Sequence, residues 1–361
     1  MARRTSPRSD FATRVTRWQR AHGRHGLPWQ GTRDAYRIWL SEIMLQQTQV
    51  AAVIPYYERF VARFPSVAAL AQASEEEVLA LWSGLGYYAR ARNIHRAARE
   101  VARHHAGRFP QAFEEIARLP GIGRSTAAAI AAFSSGERRA ILDGNVRRVL
   151  ARHAGIAGDA SSPQVASRLW EVAEARLPRS GIERYTQGMM DLGAGVCLPR
   201  NPHCLLCPVS ADCIALNENR IAELPGRRPR AAPRRRRIAM LVVVSRGEVL
   251  LEKRPSRGIW GGLWSLPEAD AAERPEAALA RDWGIEAASV EALEPFEHAF
   301  THFTLEVAPW RIHVRKGTRV GEGKSATWLA LSDLAGAALP SPVRKLLSGI
   351  RGSDSNIRDR K

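Results

Sequence analysis

Cysteine is scarce in this chain and confined to one short stretch. The sequence has four cysteines in 361 residues, and all of them fall between Cys197 and Cys213. This distribution argues against a disulfide framework and favours a metal centre. Acidic residues are also few, with 36 Asp and Glu against 54 Lys and Arg, so the formal net charge is +18. That charge favours a polyanionic partner such as nucleic acid, although a genome rich in G and C also produces an arginine excess.

Long apolar runs are missing as well. The sequence contains no run of about 18 apolar residues that could span a membrane, and no basic amphipathic helix with a lipid-facing stripe. The basic start MARRTSPRSD is not followed by the apolar core of a secretory signal. We therefore expect a cytoplasmic protein without a membrane partner.

Two hydrophobic periods divide the chain. From residue 11 to about residue 216, apolar residues recur at helical spacing, including one long stretch, AYRIWLSEIMLQQTQVAAVIPYYERF. This pattern predicts an all-α domain over residues 1–220. Residues 221–237, which contain LPGRRPRAAPRRRR, predict an exposed basic linker.

Beyond the linker the period changes to two. The stretch IAMLVVVSRGEVLLEKR predicts two strands joined by a turn at Arg246-Gly247. Further strands are expected in FTLEVAPWRIHV and ATWLAL, and a helix in PEAALARDWG. Residues 238–350 thus predict an α+β domain, and residues 351–361 a disordered tail.

A predicted turn between two helices carries the first functional motif. In LPGIGRSTAAAI, Pro120, Gly121 and Gly123 allow a tight turn before a helix whose free N–H groups can face a DNA phosphate. The alternative is an ordinary helix connection in which Ser125 or Thr126 satisfies those N–H groups. The residues alone leave both interpretations open.

The cysteines form a second motif with the spacing C-x6-C-x2-C-x5-C. Four thiolates within seventeen residues can close a tetrahedral site, and they suit zinc as well as iron and sulfur. The proposed ligands are Cys197, Cys204, Cys207 and Cys213.

Together with ILDGNVRRVL, which follows the hairpin, these motifs resemble the helix-hairpin-helix DNA glycosylase superfamily. The resemblance implies a [4Fe-4S] cluster in a module at about residues 190–216 rather than zinc. In members that also nick the backbone, a lysine at the position of Ser125 forms a Schiff base. Serine cannot form that imine, so the resemblance implies a monofunctional glycosylase.

Two carboxylates suit the cleavage of a glycosidic bond, which needs an acid for the leaving group and a carboxylate for the sugar cation. Glu42 is expected to share a helical stripe with Gln46 and Gln49 at i, i+4 and i+7, and flanking apolar residues predict a raised pKa for its side chain. A solvated helix face is the alternative for Glu42. Asp143 could simply cap the following helix.

Within the superfamily the chain most resembles the MutY-type adenine DNA glycosylases, which remove adenine mispaired with 8-oxoguanine in base excision repair. The resemblance adds LPWQ, WLSEIMLQQTQV, GLGYYARARN, MMDLGA and GIWGGLWSLP to the motifs above. It implies that Glu42 protonates N7 of the extruded adenine and later activates water, that Asp143 stabilises the oxocarbenium ion, and that Asn145 orients the site. It also implies a monomeric, nucleoid-associated enzyme acting on double-stranded DNA with A:8-oxoG or A:G mispairs.

Base flipping requires contacts that hold and probe the duplex. The resemblance assigns this probing to Gln47 and Tyr87, DNA binding to the hairpin residues Gly121, Gly123 and Ser125, and the adenine pocket to Trp29. Ordinary core packing is the alternative for Trp29 and for at least one ring of the adjacent pair Tyr87 and Tyr88.

The second domain, with GIWGGLWSLPE, resembles the MutT-like Nudix fold. The glutamates expected to bind Mg²⁺ are replaced by PEAALARDWGIE, so recognition is favoured over hydrolysis. The triplet Phe300, Thr301 and His302 matches the Phe-Ser-His loop that reads 8-oxoguanine in the family. The competing hypotheses are a bifunctional glycosylase and AP lyase of the endonuclease III type, a non-catalytic DNA-binding module and a Nudix hydrolase.

Overall fold

The computed structural model describes residues 10–226, 234–300, 302–315 and 325–358, with the backbone alone from residue 351. The chain divides into two compact units. The first comprises residues 1–72 and 93–229, and the second residues 73–92 and 230–361. No helix in the described ranges is long and apolar enough to cross a membrane.

The part of the chain before residue 220 is helical, as its periodicity predicts. α5 and the first turn of α6 belong to the second unit. The helices are α1 (Phe11–His22), α2 (Ala35–Met44), α3 (Val50–Arg63), α4 (Val67–Gln72), α5 (Glu75–Trp82), α6 (Ala89–His104), α7 (Phe113–Arg118), α8 (Arg124–Ser135), α9 (Gly144–His153), α10 (Pro163–Ala175), α11 (Ile182–Asp191) and α12 (Ile214–Asn217).

Helix α8 lies at the centre of the first unit. The alanines of residues 127–132 are buried, and their small side chains let α2, α7 and α11 pack closely around this helix. A core cluster continues from α8 to α1, α9 and α11 through Val15, Leu150 and Met189. Helix α8 therefore contacts α2, which carries Glu42, and shares a core cluster with α9, which follows Asp143 and carries Asn145.

The long helical stretch predicted over residues 35–60 is interrupted. Helix α2 ends at Met44 and α3 begins at Val50, and Gln47 between them has a left-handed φ of 57°. The predicted stripe of Glu42, Gln46 and Gln49 on one helix is therefore wrong. No Pro or Gly marks the break, and the apolar spacing runs across it.

The second unit contains one mixed sheet with α5, α13 (Pro275–Trp283) and α14 (Ser341–Arg358). β1 and β7 run parallel at its centre. Glu76 of α5 accepts a hydrogen bond from Lys253 Nζ at 3.1 Å and one from Trp264 Nε1, which ties α5 into this unit. The strands are β1 (Arg234–Ser245), β2 (Glu248–Lys253), β3 (Trp264–Ser265), β4 (Glu268–Asp270), β5 (Ala287–Ala292), β6 (Phe296–Ala299), β7 (Phe303–Val314) and β8 (Ala326–Ala330).

The predicted strands and helix of this unit are confirmed. The β1–β2 turn lies at Arg246-Gly247, where both residues have the positive φ of a tight hairpin turn.

Two boundaries of this unit differ from those predicted from the sequence. β1 begins at Arg234, inside the predicted linker, because pairing with β7 extends it; residues 227–233 lie outside the described residues. The predicted disordered tail is helical as far as Arg358, because a helix already nucleated by packing propagates easily; residues 359–361 are not described.

Candidate active site

A cleft of about 1590 Å³ opens in the first unit. Its walls come from α2, the turn between α2 and α3, the loop before α2, and the starts of α8 and α9. Six of the predicted site residues line it: Trp29, Glu42, Gln47, Ser125, Asp143 and Asn145. The fold thus brings together side chains that lie more than a hundred residues apart in the chain.

Asp143 stands at the N-terminus of α9. Its Oδ1 accepts hydrogen bonds from the N–H groups of Asn145 and Val146, both at 2.8 Å, so the predicted helix cap is confirmed. Burial raises the pKa of the carboxyl, and these two bonds work in the opposite direction. The cap fixes the carboxylate in orientation at the cleft wall.

Glu42 lies on the last turn of α2. Burial raises the pKa of its carboxyl to about 8, and the negative charge of Asp143 adds to the effect. A carboxyl with a pKa of about 8 is mostly protonated at neutral pH. One of these two carboxyl groups can donate a proton and the other is bound at a helix N-terminus, properties that suit the acid and the carboxylate of glycosidic cleavage.

Ser125 does not cap α8, contrary to one of the two interpretations of the hairpin. The N-cap residue is Gly123, and no side chain bonds to the first N–H groups of the helix. Ser125 Oγ instead accepts a hydrogen bond from the N–H of Leu142 at 2.8 Å. Ser125 thereby holds the segment that leads into Asp143.

The hairpin needs glycine at one position in particular. Gly121 has a φ of 78°, and a Cβ there would lie 2.7 Å from the Cβ of Asn93. Gly121 and Gly123 lie before α8 and do not line the cleft.

Three further predicted contact residues have distinct settings. Trp29 is 8% exposed and packs edge-on against Tyr57 with ring centroids 5.3 Å apart. Gln47 is exposed at the break between α2 and α3. Tyr87 belongs to the second unit, is 47% exposed, has a left-handed φ of 49° and lies under the guanidinium of Arg90. Gln47 and Tyr87 present polar and aromatic side chains on strained, exposed backbone.

Sequence reasoning missed Arg148. Its Nη2 donates to Asn145 Oδ1 at 2.8 Å and to the carbonyl of Gly193 at 2.7 Å, and its Nε donates to the carbonyl of Cys197 at 2.7 Å. Arg148 therefore connects the active-site helix to the loop of the first cysteine. The sequence signal that could have found Arg148 was its position one helical turn after Asn145 on the same helix.

Sequence reasoning also missed a buried carboxylate. Asp191, 3% exposed, accepts bonds from the backbone N–H of Arg24 at 3.0 Å, from Arg24 Nε at 2.7 Å and from Gln187 Nε2 at 2.9 Å. Arg24 and Gln187 line the cleft. This network fixes the loop before α2. In the sequence it is marked only by an aspartate within MMDLGA.

The four cysteines line one small cavity next to α9. Arg152 Nη1 donates to Cys197 Sγ at 3.4 Å and to the carbonyl of Leu198 at 2.7 Å. The described part of the chain gathers no three Cys, His or carboxylate groups into a ligand geometry. Four thiols around one cavity, with a guanidinium on a sulfur, nevertheless have the donor chemistry of a thiolate-bound metal or cluster.

In the second unit, Phe300 and His302 lie at the turn between β6 and β7, and Thr301 lies outside the described residues. The ring of Phe300 stacks on Phe303, with centroids 4.6 Å apart, and is 5.8 Å from the ring of the buried Trp260. The turn thus presents an aromatic cluster.

Helix α13, where a Nudix enzyme would bind metal, carries Glu276 and Asp282. Glu276 pairs with Arg274, and Asp282 with Arg281 at 2.7 Å. Carboxylates engaged by arginines in this way do not suit Mg²⁺.

Known families match both units. Residues 40–175 match the HhH-GPD superfamily of base excision DNA repair proteins, and residues 239–349 match the NUDIX domain. Over 58% of its length, the chain is 29% identical to a thermostable thymine-DNA glycosylase and superposes on 95% of that structure with a TM-score of 0.53. The fold and the site thus define a helix-hairpin-helix base excision repair enzyme, a DNA glycosylase, with an added Nudix domain.

Comparison with curated proteins shows to which family of DNA glycosylases the chain belongs. The chain is 34% identical over 338 residues to an adenine DNA glycosylase of Buchnera aphidicola subsp. Schizaphis graminum, with 93% of this chain and 97% of that one covered. It is 33% identical over 380 residues to the adenine DNA glycosylase of Mus musculus, covering 89% and 74%. The chain belongs to the adenine DNA glycosylase family. The predicted fold class and enzyme class are confirmed.

Proposed function

We propose that this chain, acting as a monomer, hydrolyses the N-glycosidic bond of adenine mispaired with 8-oxoguanine, or with guanine, in double-stranded DNA. The observation that carries the proposal is the pair of carboxyl groups in the cleft, with Glu42 protonated at neutral pH and Asp143 bound at the start of α9. The net charge of +18 suits a DNA substrate.

The reaction takes adenine out of the stack and into the cleft, beside Trp29. Glu42 donates its proton to N7 of adenine, the bond from the sugar C1′ to N9 breaks, and the electron pair leaves with the base. Asp143 stabilises the positive charge that develops on the sugar, and Asn145 orients the site. Water then attacks C1′ and gives a proton to the Glu42 carboxylate, which restores the acid.

The proposed enzyme is monofunctional. A lyase needs an amine to form a Schiff base. Ser125 has a hydroxyl group instead, and its Oγ accepts a hydrogen bond from the Leu142 N–H. The chain has no lysine before Lys253, and no lysine is among the described residues that line the cleft. These observations support base removal without strand cleavage.

The four cysteines are proposed to hold a [4Fe-4S] cluster. The cluster would supply a rigid anchor for the loop that Arg148 and Arg152 tie to α9. Purified protein should show a broad visible absorption band that disappears when Cys204 and Cys207 are replaced by Ser. Zinc, a d¹⁰ ion, gives no such band, so a colourless protein containing zinc would contradict the cluster.

A single-turnover assay tests the function. A labelled duplex with adenine opposite 8-oxoguanine is incubated with excess enzyme, and strand breaks are measured with and without alkali. For wild type we expect strand breaks only after treatment with alkali. For Glu42→Gln we expect no strand breaks in either condition. Breaks without alkali would establish a lyase, and binding with no breaks in either condition would favour a non-catalytic module.

A further inference from the structure

β1 begins with four consecutive arginines, residues 234–237, whose side chains alternate between the two faces of the sheet. Arg235 donates to Glu297 at 3.0 Å and also pairs with Glu306, and Arg237 pairs with Glu306 at 2.5 Å. These two cations are compensated on the face that continues into Ala239, which packs with α13.

The other two arginines occupy the opposite face. In the parallel ladder with β7, Arg234 is in register with Phe303 and Arg236 with Leu305, so their side chains share a face with those residues. Both arginines are exposed, and within the described ranges neither side chain forms an ion pair or a hydrogen bond. The charge of Arg236 favours the ionised form of Glu268, but the ion pair of Glu268 is with Arg254, at 3.1 Å.

These two arginines, whose side chains have no ion-pair partner in the described ranges, adjoin the aromatic turn. Phe303, the register partner of Arg234, stacks on Phe300, whose N–H closes the turn on the carbonyl of Phe303 at 2.8 Å. Two free guanidinium groups beside stacked aromatic rings suit a nucleic-acid strand, since the cations bind phosphate and the rings contact bases. The compensated face has no comparable excess of positive charge.

We propose that Arg234 and Arg236 form a phosphate-binding pair for the DNA strand whose base is read at the Phe300–His302 turn, the strand that carries 8-oxoguanine. The proposal rests on the proposed function for the identity of that strand. The arginines carry no base information. They position the backbone so that the lesion base reaches the turn.

The test compares two double variants with the same change in charge, Arg234→Gln/Arg236→Gln and Arg235→Gln/Arg237→Gln. Affinity for a duplex with adenine opposite 8-oxoguanine is measured over a series of salt concentrations, with every protein carrying Glu42→Gln to prevent cleavage. For the first variant we expect weaker binding and a slope of log Kd against log salt reduced by about 1.8, since each phosphate contact contributes about 0.9. We expect the second variant to keep nearly the full slope.

The strand is tested with neutral methylphosphonates placed beside the lesion in either strand. Substitution in the 8-oxoguanine strand should weaken binding by the Glu42→Gln parent and leave the Arg234/Arg236 variant almost unaffected. An unchanged salt slope, equal losses in both variants, or an effect confined to the adenine strand would overturn the proposal.

If the second variant unfolds, Arg274→Gln/Arg281→Gln on α13 removes the same charge elsewhere in the unit and takes its place as control. Adenine excision by wild type is measured separately. A protein that binds as described but excises no adenine would refute the proposed function and leave the phosphate-binding pair standing.

Discussion

The raised pKa of Glu42 makes a quantitative prediction about the pH dependence of catalysis. Burial, with the charge of Asp143 adding to it, raises this pKa to about 8. The active form is the protonated acid, so its fraction falls as pH rises through the pKa. That fraction is about nine-tenths at pH 7 and about one-tenth at pH 9, and the rate should fall about tenfold for each further unit.

The assay is the single-turnover rate constant for adenine release from pH 6 to pH 9.5 with enzyme in saturating excess, so that binding does not limit the rate. Replacing Glu42 by Gln preserves the size of the side chain but removes the proton. We expect the rate to fall by about 10²–10⁴ and the residual rate to lose the alkaline limb. Asp143→Asn removes the charge that disfavours ionisation of Glu42 and should move the pKa of Glu42 downward, which carbon NMR of the carboxyl can follow.

Three results would refute this reasoning. One is a wild-type rate that stays flat to pH 9.5, which would mean that the protonated carboxyl plays no part in the limiting step. Another is an alkaline limb at the same pH in the glutamine variant, which would assign the limb to a different group. The third is a glutamine variant within tenfold of wild type.

Three structural predictions concern the support of this site. Arg148→Gln should keep DNA affinity but lower the single-turnover rate at least tenfold, because it frees Asn145 and the cysteine loop, and an equal loss of affinity would contradict a positioning role. Ser125→Ala removes the acceptor of the Leu142 N–H and should lower the free energy of unfolding by about 1–3 kcal/mol in urea denaturation, whereas Ser125→Thr, which keeps the hydroxyl, should recover part of it. Gly193→Ala places a Cβ 2.6 Å from the Cβ of Asn145 and should cost about 1–3 kcal/mol by the same measurement, with Gly195→Ala, which meets nothing within 4 Å, as its control.

Local signals in the sequence predicted much of the fold. The strand at 303–314 and the turn at Arg246-Gly247 follow from alternation and from a turn residue that tolerates positive φ. The break at Gln47 could not be predicted, because the apolar spacing continues across it and Gln has no preference for left-handed backbone. The same holds for β1, whose first four residues are arginines that form a strand only because β7 pairs with them.

The sequence by itself determined which chemical groups this protein has: an acid and a capping carboxylate at a motif's spacing, four clustered thiols, and serine in place of lysine at position 125. Only the tertiary structure decided what those groups do. The pKa of Glu42 depends on burial and on a charge about a hundred residues away. The partner of Ser125 lies 17 residues along the chain, and the two carbonyls that Arg148 binds lie 45 and 49 residues along it. Desolvation and hydrogen bonding depend on distance in space, and residue spacing alone does not contain that distance.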